Sequence, residues 1–433
     1  MPRPNVIYIN SHDTGRYLQP YGYAVRTPNL QRLAEQGVLF RQAYNAGPTC
    51  SPSRAALVTG QCPHSCGMTG LAHRGFALKD YSHHLQHTLQ RNGYRTYFTG
   101  AQHVAGGPGK PPWETIGYDK WLGHQGHLAA RDFLDSRPTE PFYLEVGFNN
   151  THREFEAPQD PRDDPRYTMP PSCLPDVPEV RRDFARFRSD AALLDAKMGM
   201  VFEALDRNGL ADNTLVICTT DHGIAFPRMK CQLTDHGMGV MLILRGPGDF
   251  TGGKVIDGMV SHMDLFPTLC EYLGLEAPDW LEGVSFLPLV RGEAEQVREY
   301  LTSEVTYHAA YEPMRCLRTP RYKYIRRFDE RSSMVFPNTD DGSSKAFLMH
   351  NGWASQPREQ EMLYDLIFDP CETNNLVDRT DLHSTLLDLR QKLEQWMRDT
   401  KDPLLDGPVP LPEGAVANDP DGFTPRDRPD ARS

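Results

Sequence analysis

The chain has 433 residues, 39% of them apolar and 24% charged, with a formal net charge of -11. That length supports one large core and a smaller appended one, and the composition is that of a globular protein. The acidic balance leaves no basic excess to displace counterions from a nucleic-acid backbone, and no apolar run reaches the length of a membrane-spanning helix.

Asn5-Val6-Ile7-Tyr8-Ile9-Asn10 is a mostly apolar run between polar residues and reads as a buried strand. Ser11, His12, Asp13, Thr14 and Gly15 follow, so His12 and Asp13 stand at a strand's carboxyl end. Thr27 suits a helix cap, with Pro28 at the first position, Leu30, Leu33 and Ala34 on one face and Gly37 as the stop. Val38 to Phe40 is a short strand. In Cys50-Ser51-Pro52-Ser53-Arg54, Ser51 suits an N-cap and Pro52 the first helical position, and Gly60 ends the helix after Thr59. Cys50 is therefore expected just outside a helix N-terminus, where free N–H groups and the helix dipole favour an anion.

Leu85 to Arg91 reads as a helix. Arg95 to Phe98 is a strand that leads to His103, and Phe142 to Phe148 is a strand that leads to His152. Val180 to Leu205 carries Phe184, Phe187, Ala191, Leu194, Met198 and Phe202 at helical spacing, a long amphipathic helix closed by Asn208-Gly209. Thr214 to Cys218 and Val240 to Leu244 are two more buried strands; Asp221, His222 and then Lys230 follow the first. Strands alternating with helices predict an α/β fold, a mainly parallel sheet flanked by helices, with ligands bound beyond the strands' carboxyl ends. From about residue 300 the pattern changes. Arg321 to Ile325 alternates, Asn338 to Ser344 is a polar loop, Leu363 to Leu366 is a short strand and Leu382 to Met397 is a last amphipathic helix. This reads as a small C-terminal α+β domain. The expected division is a catalytic domain over 1–300, the small domain over 301–402 and an extended tail over 403–433.

The run from Cys50 to Gly60, C-x-P-x-R-x-x-x-x-T-G, resembles the signature of type I sulfatases of the alkaline phosphatase superfamily. The resemblance extends from about residue 4 to 400. Within the family it leans toward the sulfamidase, or N-sulfoglucosamine sulfohydrolase, type, through the His103-Val104 pair and Asp369-Pro370, Glu372 and Asn375-Leu376. It implies an alkaline-phosphatase-like fold and hydrolysis of a sulfate ester or sulfamate. It implies that Cys50 is oxidised to formylglycine, whose hydrate is the nucleophile, and hence a formylglycine-generating enzyme as maturation partner. It implies a divalent cation, Ca²⁺ first, held by Asp13, Asp221, His222 and residue 50. His12 replaces a carboxylate there, and the two histidines bring Mn²⁺, Mg²⁺ or Zn²⁺ into consideration. Arg54, His103, His152 and Lys230 are the remaining catalytic residues that it implies.

One departure matters. The family places a lysine where this chain has Ala101. Phosphonate and phosphodiester hydrolases of the superfamily also depart from that lysine, so such an activity is an alternative. Two others are a binding protein on a decayed scaffold and an enzyme that keeps Cys50 as a thiol nucleophile. The substrate is expected to be small and anionic, a sulfated sugar or an aryl or alkyl sulfate, faced by segments 72–82, 105–125, 153–178 and 300–350. Nine scattered cysteines and the lack of a leader-like N-terminus lead us to expect a reduced, cytoplasmic protein.

Overall fold

The first strand, β1 (Asn5–Ser11), is buried along its whole length, and its side chains alternate between two cores. Val6 and Tyr8 join one cluster, with Ala55, Leu57 and Val58; Ile7 and Ile9 join the other, with Leu30, Leu33, Leu194 and Met198. A strand that feeds apolar side chains to both faces must lie inside a sheet covered on both sides. The computed structural model describes residues 3–106, 109–139, 141–158 and 160–427.

The large sheet has eight strands: β1, β2 (Val38–Phe40), β3 (Arg95–Gly100), β4 (Lys120–Trp121), β5 (Phe142–Gly147), β6 (Thr214–Thr220), β7 (Leu242–Arg245) and β8 (Lys254–Ile256). Their order is β4-β3-β5-β1-β6-β7-β2-β8. All neighbours run parallel except at β7, which is antiparallel to both β6 and β2. Helices α1 (Pro28–Gln36), α2 (Cys50–Thr59), α3 (Leu85–Arg91), α4 (Gly126–Asp135) and α5 (Pro178–Arg207) accompany it. The alkaline-phosphatase-like expectation of a mainly parallel sheet flanked by helices describes this architecture.

A second sheet contains β9 (Leu301–Tyr307), β10 (Tyr311–Arg318), β11 (Tyr322–Arg327) and β12 (Glu361–Asp365), all antiparallel. Helix α7 (His383–Asp399) packs on it, while α6 (Ser343–His350) packs on α5 of the large unit. The sheet's alternation sends Leu317, Tyr324 and Leu363 to Leu386, Leu389, Leu393 and Met397 of α7. The opposite face, with Val305, Met314 and Ile325, packs on Tyr44, Leu233 and Met238 of the large unit.

Four local expectations change. The helix after Thr49 begins at Cys50 itself, so Ser51 lies inside it; the Ser51 hydroxyl instead accepts from the Ala72 N–H at 3.0 Å. The strand expected over Val240 to Leu244 runs two residues later and one further, Leu242–Arg245. The polar stretch 338–344 passes directly into α6. Residues 403–427 hold one short turn, Pro403–Leu405, and otherwise run irregularly, yet they are tied down: Val416 N–H donates to Arg74 O at 2.9 Å and Asn418 is buried.

Candidate active site

Four adjacent parallel strands, β3, β5, β1 and β6, end on one edge of the large sheet. His103 follows β3, His152 follows β5, His12 and Asp13 follow β1, and Asp221 and His222 follow β6. The loops stay in register past the strands: Phe148 N–H donates to Asn10 O and His12 N–H to Asn150 O, both at 2.9 Å. Gly147 is obligatory at this crossing, because a Cβ there would stand 1.6 Å from Ala101 O. Helix α2 brings Cys50 and Arg54 to the same edge, and the segment after β6 brings Lys230.

All nine residues singled out from the sequence thus meet. Cys50 Sγ lies 3.4 Å from His222 Nε2, which lies 3.3 Å from Asp13 Oδ1. His12 Nδ1 is 2.8 Å from Asp13 Oδ1 and 3.3 Å from Asp221 Oδ2. Its Nε2 is 3.4 Å from His103 Nδ1, and its ring centroid is 4.6 Å from that of His152. Arg54 donates through Nε to Asp221 Oδ2 at 3.2 Å and through Nη2 to Ser11 O at 2.9 Å. Lys230 Nζ is clamped between Asp13 Oδ2 at 2.8 Å and Asp340 Oδ2 at 2.9 Å. Asp13 adopts φ 54, a left-handed conformation uncommon for a non-glycine residue, while its N–H donates to Asp221 Oδ1 at 2.8 Å.

The charges here are held by one another. Burial alone would raise the Asp13 pKa, but Lys230, His12 and His222 outweigh it and keep the carboxyl well below its usual range. Burial would likewise raise Asp221, and His222, His12 and Arg54 reverse the sign. Burial opposes the Lys230 charge, which Asp13 and Asp340 sustain. His12 is pushed down to about 4, chiefly by burial. Burial, reinforced by Asp13 and Asp221, drives the Cys50 thiol well above its ordinary value, so it is a thiol and not a thiolate at neutral pH.

One ligand atom from each of His12, Asp13, Cys50, Asp221 and His222 lies within 4.8 Å of the others, all on buried residues. Two carboxylates and two imidazoles converging beside residue 50 form a donor set that fits a divalent cation. Arg54 is 2% exposed and its Nη1 has no hydrogen-bond partner, a free cationic donor at the same place. Beside them opens a cavity of about 450 Å³ lined by His12, His103, Asn150, His152, Asp190 and Lys197, among others. A larger cavity of about 550 Å³, lined by residues such as Arg228, Met314, Phe336 and Trp353, holds none of the nine residues. The smaller one is the cavity that adjoins the cluster, through His12, His103 and His152.

The structure adds residues that the sequence reading missed. Asp340 sits in the polar stretch 338–344, read only as a loop. Asn150 donates to Asp190 Oδ1 at 2.8 Å and accepts from Lys197 Nζ at 2.6 Å, so three polar residues of one cavity wall are linked. Asp190, itself buried, and Lys197 lie at the border of the apolar stripe of α5, and no local pattern set them apart.

The family described as Sulfatase matches residues 4–132 and 127–275, and the one described as N-sulphoglucosamine sulphohydrolase, C-terminal, matches residues 227–344. The chain is 26% identical to an ulvan-active sulfatase of Formosa agariphila, over 96% of this chain and 77% of the relative. It is 29% identical to human N-sulphoglucosamine sulphohydrolase, over 89% of this chain and 88% of the relative. A solved 2-O GAG sulfatase shares the fold with a TM-score of 0.71 at 22% identity, over 93% of this chain and 94% of that one. With the family match spanning more than half of its length, the chain belongs to the sulfatase family and is a sulfuric ester or sulfamate hydrolase.

Proposed function

We propose that the protein cleaves a sulfate ester or an N-linked sulfate of a sugar, with an aldehyde hydrate derived from Cys50 as nucleophile and a divalent cation beside it. The observation that carries this reading is the convergence of Cys50 with Asp13, Asp221, His12 and His222. The relatives named for ulvan and for N-sulphoglucosamine support a sugar as the carrier of the anion. Maturation then requires a formylglycine-generating enzyme to oxidise the Cys50 thiol.

His12, Asp13, Asp221 and His222 would hold the cation; Ca²⁺ is the ion that the resemblance implies, and the two imidazoles also suit Mn²⁺ and Zn²⁺. When present, the hydrate supplies one oxygen for transfer and a second for release, and the cation offsets charge on the transferring group. The rest falls to this chain's own side chains. Arg54 holds the hydrate formed at residue 50, with its Nη1 left open beside it. Lys230, kept charged by Asp13 and Asp340, supports an oxygen of that group. His152 gives a proton to the departing alcohol or amine. His103 is buried beside His12, and burial pushes its pKa well below the ordinary value, so it is a neutral imidazole able to accept the proton whose loss lets sulfate depart.

The test uses full-length protein whose Cys50 peptide is shown by mass spectrometry to carry the aldehyde. It is assayed on glucosamine N-sulfate, monosaccharide O-sulfates, 4-nitrophenyl sulfate and bis(4-nitrophenyl) phosphate. The expected order of kcat/KM places a sulfated sugar first. A higher value for the phosphodiester, or full activity in natively produced protein that retains an intact cysteine, would reject the reading.

A further inference from the structure

The turn between β9 and β10 is His308-Ala309-Ala310, and Ala310 is tied to Asn338 in the loop that carries Asp340, the partner of Lys230. His308 is only 6% exposed, and its Nδ1 is buried without a hydrogen-bond partner. An unpartnered buried polar atom is costly and calls for an explanation. The charges of Lys230, Asp340, His222 and Arg74 act on the His308 ring, so the imidazole sits in the electrostatic surroundings of the clamped lysine.

The turn is held on three sides. Arg74 Nη1 donates to Ala309 O at 3.3 Å and to Asn418 Oδ1 at 2.8 Å. Asn418 N–H donates to Ala309 O at 2.7 Å. Asn338 accepts from Ala310 N–H at 2.9 Å and donates to Ala310 O at 3.2 Å, two residues before Asp340. The large unit, the C-terminal segment and the loop that carries Asp340 therefore fix one three-residue turn. None of these contacts uses Nδ1 of His308.

We propose that His308 is a substrate-contacting specificity residue, whose Nδ1 hydrogen-bonds a hydroxyl or amine of the sugar next to the cleaved sulfate. This rests on the reading of the site as one for sulfated sugars. Asp340, at the other side of Lys230, offers a second acceptor to the same ring. Burial first, and the Lys230 charge second, keep the imidazole neutral, so it presents one donor and one acceptor to a polyhydroxylated ligand. A planar aryl sulfate has no such hydroxyls and gains nothing from this residue.

The experiment compares aldehyde-bearing wild-type, His308→Ala, His308→Gln and Asn418→Ala proteins on glucosamine N-sulfate and monosaccharide O-sulfates, with 4-nitrophenyl sulfate as the reference. For the best sugar, kcat/KM is expected to fall about 10- to 100-fold in His308→Ala, mainly through KM, because a buried hydrogen bond to substrate is lost. The aryl sulfate should change less than about twofold, since its binding uses none of that energy. His308→Gln should recover part of the loss, and Asn418→Ala should weaken sugar turnover in the same direction by less. Equal losses on sugar and aryl substrates, or unchanged sugar kinetics in a folded His308→Ala or His308→Gln protein, overturn the inference. So does a wild type that accepts the aryl sulfate but no sugar. A wild type inert toward every sulfate defeats the underlying functional reading as well.

Discussion

Two buried charge clusters in this molecule use the same residue types to opposite ends. One is the candidate active site, with His12, Asp13, Arg54, Asp221, His222 and Lys230. The other ties the second sheet to the short helix Pro63–Cys66 and to the C-terminal segment: His64, Glu304, Arg315 and Asp402. His64 Nδ1 lies 2.5 Å from Glu304 Oε2, and Arg315 Nε lies 3.2 Å from that oxygen and 2.5 Å from Asp402 Oδ2. Arg315 Nη1 donates to Val305 O and Met314 O, and Nη2 to Asp402 Oδ1 at 3.0 Å. Every guanidinium nitrogen is used. Three carboxylate and imidazole groups meet there, as they would around a cation, but Arg315 occupies the position of the positive charge. In the active site, by contrast, Arg54 Nη1 has no partner. Burial and charge do not mark function by themselves; the two clusters differ in that one leaves an arginine nitrogen open and the other uses every one.

The sharpest test of that contrast exchanges the two arginines. Arg54→Ala should cut turnover by about a thousandfold, as removal of a fixed donor at developing charge does, with the fold retained. Arg315→Ala should leave kcat of the folded protein near wild type but cost about 3–5 kcal/mol of stability, because Glu304 and Asp402 lose their shared partner. Denaturant melts and active-site-normalised kinetics read the two outcomes; the reverse pattern breaks the distinction.

The next effect concerns the cation. Asp13→Asn should abolish bound divalent ion in elemental analysis, whereas Glu304→Gln should leave it at the wild-type level. A chelator should lower the melting temperature of wild type, by about 3–4 kcal/mol of stability if the ion is held at 100 to 1,000 times its Kd, and should not shift Asp13→Asn.

The smallest effect is a pH dependence in the closed cluster. Burial would lower the His64 pKa, but Glu304 and Asp402 outweigh it and raise it above the ordinary value of 6.5. A raised folded pKa means that the protonated form stabilises the fold. That contribution is fully present below about pH 6.5 and disappears as pH rises through the raised value. The melting-temperature gap between wild type and His64→Gln should therefore narrow with rising pH over that window. A gap that widens would show that the neutral imidazole is the form the fold prefers.

Much of the site could be read from the chain because its residues stand immediately after apolar runs. Asp13 follows β1, Asp221 follows β6, and parallel neighbours bring such ends to one edge. Cys50 and Arg54 are four apart at the start of one helix, so local geometry alone puts them side by side. Other features were not legible. Ser51 looked like a cap, but its hydroxyl is taken by the Ala72 N–H, a partner that no local rule supplies. The antiparallel entry of β7 likewise depends on its neighbours and not on its composition.

The order of strands and helices, the strand-end polar residues and the Cys50 motif were fixed by patterns a few residues long, because periodicity and capping act over one or two turns of chain. The clamp of Lys230 by Asp340, the fixing of the turn at His308 and the use of Arg315 as an internal cation were decided only by folding. Each joins residues far apart in sequence, and only the packing of the C-terminal part on the large unit sets which of their buried polar atoms are satisfied.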